Sequence, residues 1–292
     1  MPLTLKPLHP LFAAAADGVD LRQPLDAATI AEIDAAMDRY AILVFRDQPM
    51  DQGRQIACAR QFGPLDAGLR KATGAATRFG YDELIDISNV TLDGTIADTG
   101  DGRLIGTLAN QLWHTDSSFQ PLAVKYSMLS AVVIPDVGGD TEWADMRAAY
   151  DALPEDLRQI VAGRTAHHST FHSRTLLGDD KYTDEQRKRF PPARWPLVRT
   201  HPGSGRKLLF VGVHCDEVSD MSVPEGRLLI AELLEHATQR QFVFRHRWRA
   251  GDYVMWDNRA TLHRGRRYDL KARRDLRRTT TLERGAGQAP PA

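Results

Sequence analysis

YSMLSAVVIPDVGGDTEWAD, residues 126–145, is the stretch on which the reading of the fold turns. Residues 126–134 form an apolar, small-residue run of strand length that stops at Pro135. After Gly138 and Gly139 a second strand is expected at 141–145. The same rhythm of short runs closed by Pro, Gly or Asp continues outward. AILVFR at 41–46 reads as a fully buried strand, and further strands are expected at 84–90, 196–201, 207–213, 242–248, 253–257 and 276–282. PGSG at 202–205 is a hairpin signal between two of them. Helical spacing appears at Ile30, Ile33, Met37 and Tyr40, with Asp26 or Thr29 as the N-cap, and in 51–62, 146–153, 155–162 and 225–236. Many short strands with few β-α-β alternations predict a mainly β protein, a sandwich or barrel flanked by helices.

The 292 residues are read as a single domain, 1–292. A hydrophobic fraction of 42% against 26% charged residues suits a soluble globular core. The 38 basic and 38 acidic residues cancel, so no global field points to nucleic acid or an acidic membrane, and neither partner is expected. Two cysteines, Cys58 and Cys215, make no disulfide framework, and the apolar run at 11–16 is too short for a signal or a membrane span. A cytoplasmic location is expected. Residues 171–195 are polar and poorly periodic and read as an insertion or lid, and a disordered tail is expected at 284–292.

ANQLWHTDSSF contains His114-Thr115-Asp116. In a strand, residues i and i+2 point the same way, which would aim an imidazole and a carboxylate at one point. Two imidazoles and one carboxylate on one face of a metal, with the opposite face open, are what non-haem iron(II) oxygenases use. A second copy, His214-Cys215-Asp216, shows how weak the pair is alone. What separates the two is His263 in WDNRATLHRGRR, followed after ten residues by Arg274. A rigid cationic fork there would serve a keto diacid that chelates the metal at one end and needs a bidentate partner at the other. His114, Asp116 and His263 are therefore the candidate metal ligands. His9, His167, His168, His172 and His236 read as structural histidines, while His201 and His214 could each face the pocket. Trp113 and Trp256 read as packing beside the ligands, not as chemical groups.

NQLWHTDSSF, GGDTEWADMRAAYDALP, RTHPGSGRK, GDYVMWDNRATLHRGRRYD and ARRDLRRTTTL together resemble the taurine/alkylsulfonate dioxygenase superfamily, and within it the 2,4-dichlorophenoxyacetate dioxygenases. The likeness runs from HPLFAA near the start to TTTL near the end. It implies a double-stranded β-helix (jelly roll) using Fe(II), 2-oxoglutarate and O2, with ascorbate in support. It also implies that Arg274 and Thr141 hold the far carboxylate of 2-oxoglutarate and that Asn110 positions it. The reaction implied is hydroxylation of the carbon beside the ether oxygen of an aryloxyacetate, giving a phenol and glyoxylate together with succinate and CO2.

Arg278 lies four residues after Arg274, so on a strand both face inward while Arg273 and Arg277 face out. Two inward guanidinium groups call for two anions, one on the cosubstrate and one on a small anionic substrate. The resemblance supports Arg278 in the second role and adds Lys71, in GLRKATG, as a further substrate contact. Rival readings are a sulfonate or sulfate-ester dioxygenase of the same superfamily, a zinc hydrolase in which Arg274 would have no task, and a non-catalytic jelly-roll binding protein for small acids. A homo-oligomer is compatible with everything above.

Overall fold

The computed structural model describes residues 2–68, 76–98, 101, 103–122 and 124–283; Lys71 and the expected tail at 284–292 lie outside them. The strands are β1 (Thr4–Pro7), β2 (Ala14–Asp17), β3 (Ile42–Phe45), β4 (Ile85–Ser88), β5 (Val124–Val133), β6 (Thr141–Asp145), β7 (Thr165–His168) and β8 (Ala193–Pro196). They continue with β9 (Val198–Thr200), β10 (Lys207–Leu209), β11 (Cys215–Val218), β12 (Val243–His246), β13 (Tyr253–Asp257), β14 (Thr261–Gly265) and β15 (Asp275–Leu282). Between them run α1 (Ala27–Tyr40), α2 (Gln52–Arg60), α3 (Arg103–Ala109), α4 (Met146–Asp151), α5 (Glu155–Val161), α6 (His172–Thr175), α7 (Asp184–Arg189) and α8 (Val223–Ala237).

A seven-stranded sheet in the order β1-β2-β3-β13-β5-β15-β4 faces a smaller sheet, β12-β6-β14, and β11-β7-β8 and β10-β9 form two further small sheets. Among the named strands only β2 and β3 pair in parallel. The stacked, mainly antiparallel sheets make the expected jelly roll. Alternation along the central strands explains the unbroken apolar runs. Ile42, Val44, Val254 and Trp256 point between the sheets to meet Trp143, Phe244 and Leu129. Leu43, Phe45, Tyr253 and Met255 point the other way, onto Ile33 and Met37 of α1 and Cys58 and Ala59 of α2. These strands are thus buried on both faces, which an apolar run without alternation requires. Trp143 and Trp256 are fully buried, and truncating either to alanine would cost roughly 3–5 kcal/mol.

Of the two candidate caps of the first helix, the structure uses Asp26. Asp26 accepts the Thr29 N–H at the start of α1, and Asp51 accepts the Arg54 N–H at the start of α2. α1 ends at Ala41, held in the left-handed region (φ 58°) with its N–H on Met37 O, and the chain enters β3 at once. Residues 171–195 contain α6 and α7 and run into β8, where the buried Trp195 donates its indole N–H to Ser118 O (2.8 Å). No helix among the described residues is long and apolar enough to cross a membrane.

Candidate active site

His263 lies in β14, which pairs with β6. His114 bridges to it: the two residues exchange both backbone N–H···O bonds (3.0 and 2.7 Å), and their rings stand 4.1 Å apart. The chain then leaves strand geometry. Asp116 sits in a turn that passes through Ser117 at φ 54°, so its carboxylate meets the imidazoles through a bend and not by strand alternation. That corrects the reasoning from spacing. Asn258 holds the bend, accepting Thr115 Oγ1 on its carbonyl (2.7 Å) and the Asp116 N–H on Oδ1 (3.3 Å).

The Nε2 atoms of His114 and His263 lie 3.9 and 3.8 Å from Asp116 Oδ1. One ligand atom from each of the three residues falls within 4.8 Å of the others, and all three residues are buried. His114 Nδ1 donates to Leu112 O (2.7 Å), which leaves the Nε2 lone pair facing the centre. Burial lowers both imidazoles below their ordinary range, His263 furthest, so both are neutral and able to ligate. Burial would raise the Asp116 carboxyl, but the Arg278 guanidinium, aided by the Ser127 hydrogen bond, outweighs it and holds the group below its ordinary range. Ser127 Oγ donates to Asp116 Oδ2 (2.7 Å) and in turn accepts from Asn258 Nδ2 (2.9 Å). Trp256 Nε1 donates to Asn258 Oδ1 (3.1 Å), so this tryptophan is part of the support as well as packing. Ser127 and Asn258 escape a reading of motifs, since their role depends on contacts spanning 11 to 143 residues.

Two neighbouring spaces, with Ile87, Asn110, His114 and Arg278 in both linings, adjoin the triad. The larger, about 490 Å³, is walled by Ile85, Ile87, Val90, Leu92 and Phe119, with Asp116, His214 and Arg278 on its polar side. The smaller, about 50 Å³, is lined by Asn110, Thr141, His263, Tyr268, Arg274 and Arg278. Arg274 is buried; its Nη2 donates to Gly139 O (3.2 Å), while Nε has no partner among the described residues. Gly139 (φ 73°) is required here, because a Cβ would stand 3.1 Å from Arg274 Nε. Thr141 Oγ1 accepts from Trp248 Nε1 (2.9 Å), which leaves its own proton free to donate. Asn110 closes α3 and reaches both spaces.

Arg278 donates to Asp116 Oδ1, while its Nε has no partner among the described residues. Arg277 reaches the opposite way, to Met50 O. Of the two undecided histidines, His214 lies in the larger space, edge-on to Phe119 (5.0 Å) and with Nδ1 unpartnered among the described residues. His201 does not; it is buried against Asp257 (3.0 Å). Among the described residues, His214 and Asp216 gather no third donor.

Two imidazoles and a carboxylate beside a pocket for an anion, carried on a jelly roll, define an oxygenase of the facial-triad class. The chain belongs to the taurine catabolism dioxygenase TauD, TfdA family, whose model matches residues 4–280. It is 58% identical over 283 residues, 97% of this chain and 99% of the relative, to the alpha-ketoglutarate-dependent 2,4-dichlorophenoxyacetate dioxygenase of Cupriavidus pinatubonensis. It is 37% identical to the (S)-phenoxypropionate/alpha-ketoglutarate-dioxygenase of Sphingobium herbicidovorans, over 92% of this chain and 91% of the relative. The crystal structure of AAD-2 in complex with Mn(II) and N-oxalylglycine superposes with a TM-score of 0.92 at 42% identity, covering 100% of both chains. The protein is accordingly a 2-oxoglutarate-dependent non-haem iron dioxygenase working with Fe(II), 2-oxoglutarate and O2 on a small molecule. The residues present fit both groups. Two neutral imidazoles and an ionised carboxylate suit a divalent iron, and a buried guanidinium with an unpaired N–H and no carboxylate in ion-pair range among the described residues suits a dianion.

Proposed function

We propose that the substrate is an aryloxyacetate of the 2,4-dichlorophenoxyacetate type, hydroxylated at the carbon between the ether oxygen and the carboxylate. The observation that carries this is the larger cavity, where a guanidinium with donors to spare stands at the triad and an apolar wall stands opposite. The relatives that act on phenoxyacetate and phenoxypropionate support it. In this reading His114, Asp116 and His263 hold iron, while Arg274, Thr141 and Asn110 hold 2-oxoglutarate. Arg278 pins the substrate carboxylate, with Lys71 as its second contact. When bound, iron and 2-oxoglutarate supply the oxidation with O2, one oxygen atom going to the substrate carbon and the other to succinate as CO2 leaves.

The chain's own work is to position groups and exclude water. Ser127 and Asn258 fix the Asp116 carboxylate. Arg278 can touch Asp116 and a substrate carboxylate at once, because a guanidinium has five donors; the anion is thereby held one residue from the metal ligands. Ile87 and Phe119 confine the ring so that the methylene faces the triad. The hydroxylated carbon also bears the ether oxygen and is a hemiacetal carbon. It loses its hydroxyl proton, the C–O bond to the ring oxygen breaks with its electron pair, and phenol and glyoxylate separate. We read residues 1–292 as one dioxygenase domain and 171–195, whose Ser173 and Arg174 line the cavity, as its cover.

The test is a panel of phenoxyacetates and taurine with Fe(II), ascorbate and 2-oxoglutarate, with phenol, glyoxylate, succinate and sulfite measured directly. Phenol should match succinate one to one and exceed sulfite by at least roughly tenfold, the factor that about 1.4 kcal/mol of differential transition-state binding provides. Equal or greater sulfite release would move the assignment to a sulfonate or sulfate ester, which an arginine binds as well.

A further inference from the structure

The loop after β14 brings a phenol into the smaller space. Arg266 N–H donates to Asp140 O (2.7 Å), Gly139 N–H donates to Arg267 O (3.1 Å), and Tyr268 bridges to Gly138. The approach is so close that a Cβ on Gly138 (φ 80°) would lie 2.4 Å from Arg267 O and 3.1 Å from Tyr268 Cα. Held this way, Tyr268 lines the same pocket as Thr141 and Arg274, and the Arg274 guanidinium carbon stands 5.5 Å from its ring centroid. Tyr268 Oη is buried and has no partner among the described residues, as is true of Arg274 Nε. Among the described residues the pocket lining has three arginines and no acid. Buried hydroxyls are nearly always hydrogen-bonded, so an orphan hydroxyl in the same pocket as a guanidinium with an unpartnered Nε–H is best explained by a ligand that satisfies both. Arg274 offers only N–H groups, and a phenol next to it can act there only as a donor or as a weak acceptor.

We propose that the Tyr268 hydroxyl donates a hydrogen bond to the far carboxylate of 2-oxoglutarate, completing with Arg274 and Thr141 a three-sided clamp. The inference rests on the reading of Arg274 as the anchor of that carboxylate. Arg274 and Thr141 are in reach of motif reading; Tyr268 enters only because the loop is zipped to Gly138 and Gly139.

Tyr268→Phe removes the hydroxyl and leaves the ring. Mn(II)-loaded wild type, Y268F and R274A are titrated with N-oxalylglycine by calorimetry and melted with and without it. Without ligand, Y268F should melt at or above the wild-type temperature, since it loses a buried group that has no partner. Its Kd for N-oxalylglycine should rise about tenfold, as expected for a lost hydrogen bond to a charged acceptor, and the ligand-induced rise in Tm should shrink accordingly. The KM for 2-oxoglutarate should rise in parallel, with that for the aryloxyacetate unchanged. A Y268F Kd within about twofold of wild type, with R274A weakened, would overturn the inference alone. Lower melting of ligand-free Y268F would also overturn it, by revealing an internal partner for the hydroxyl. Wild-type affinity in R274A would overturn the reading of the pocket and the inference with it.

Discussion

Asp116 and Asp257 are both fully buried aspartates flanked by histidine and arginine, and the one chain segment 257–263 serves both. Around Asp257 every group is consumed. Arg259 grips it with Nε (2.9 Å) and Nη2 (2.7 Å), His201 Nε2 lies 3.0 Å from Oδ2, and His201 Nδ1 accepts the Ser204 N–H (3.0 Å). With Asp38 this cluster has the residue types and spacing to hold a metal, yet Arg259 already supplies its cation. Around Asp116, two imidazole nitrogens face Oδ1 at 3.8 and 3.9 Å, and the cluster opens on a cavity. Composition does not distinguish the two. Saturation of the donors and acceptors does, and the saturated cluster braces the turn from which Asn258 and His263 serve the other.

The largest effect should separate the clusters by chemistry. Alanine at His114, Asp116 or His263 should lower succinate formation at least roughly a thousandfold, about 4 kcal/mol, and lower Fe(II) content after anaerobic dialysis. His201→Ala and His214→Ala should keep their iron. Iron retained by His114→Ala and lost by His201→Ala would mean that the two clusters had been assigned the wrong way round.

Stability should separate them in the reverse sense. Arg259→Leu strands the buried Asp257 carboxylate and should lower the unfolding free energy by about 3–5 kcal/mol, read from urea denaturation, while the folded fraction keeps its iron. A loss below about 1 kcal/mol, the range of an exposed ion pair, would show that the cluster braces nothing.

Within the open site the two arginines should divide the ligands. Arg274→Ala should raise the KM for 2-oxoglutarate, and Arg278→Ala that for the aryloxyacetate, each by roughly 10- to 100-fold, as a charge-assisted hydrogen bond of about 1.5–3 kcal/mol implies. Equal defects against both ligands would dissolve the division.

Acid should produce the smallest effect. Burial opposes ionisation of Asp257, but Arg259 and His201 hold its carboxyl well below the usual range. A depressed folded-state value means that the stabilisation is complete above the unfolded value of about 4 and is lost as pH falls below it. Asp257→Asn should therefore flatten the acid limb of a stability-against-pH curve by up to the one proton that Asp257 takes up. An unchanged limb would place the acid sensitivity elsewhere.

The sequence by itself determined the strands whose neighbours lie on both faces, because two-sided burial imposes unbroken apolar runs. Residues 141–145 and 253–257 are strands with the expected bounds. It also pointed to the candidate chemical residues, since a histidine pair, a carboxylate and two arginines at those spacings have few other uses. Strands such as β14, TLHRG, carry no such pattern; β14 exists because β6 and His114 supply its hydrogen bonds. The tertiary structure alone decided that Asp116 reaches the imidazoles through a turn and that Arg278 also serves Asp116. It alone placed His214 in the cavity, His201 outside it, and the Tyr268 ring beside Arg274. Each of these depends on groups far apart in the chain meeting in space, and local periodicity reports only the face a residue presents, not which donor on another strand will satisfy it.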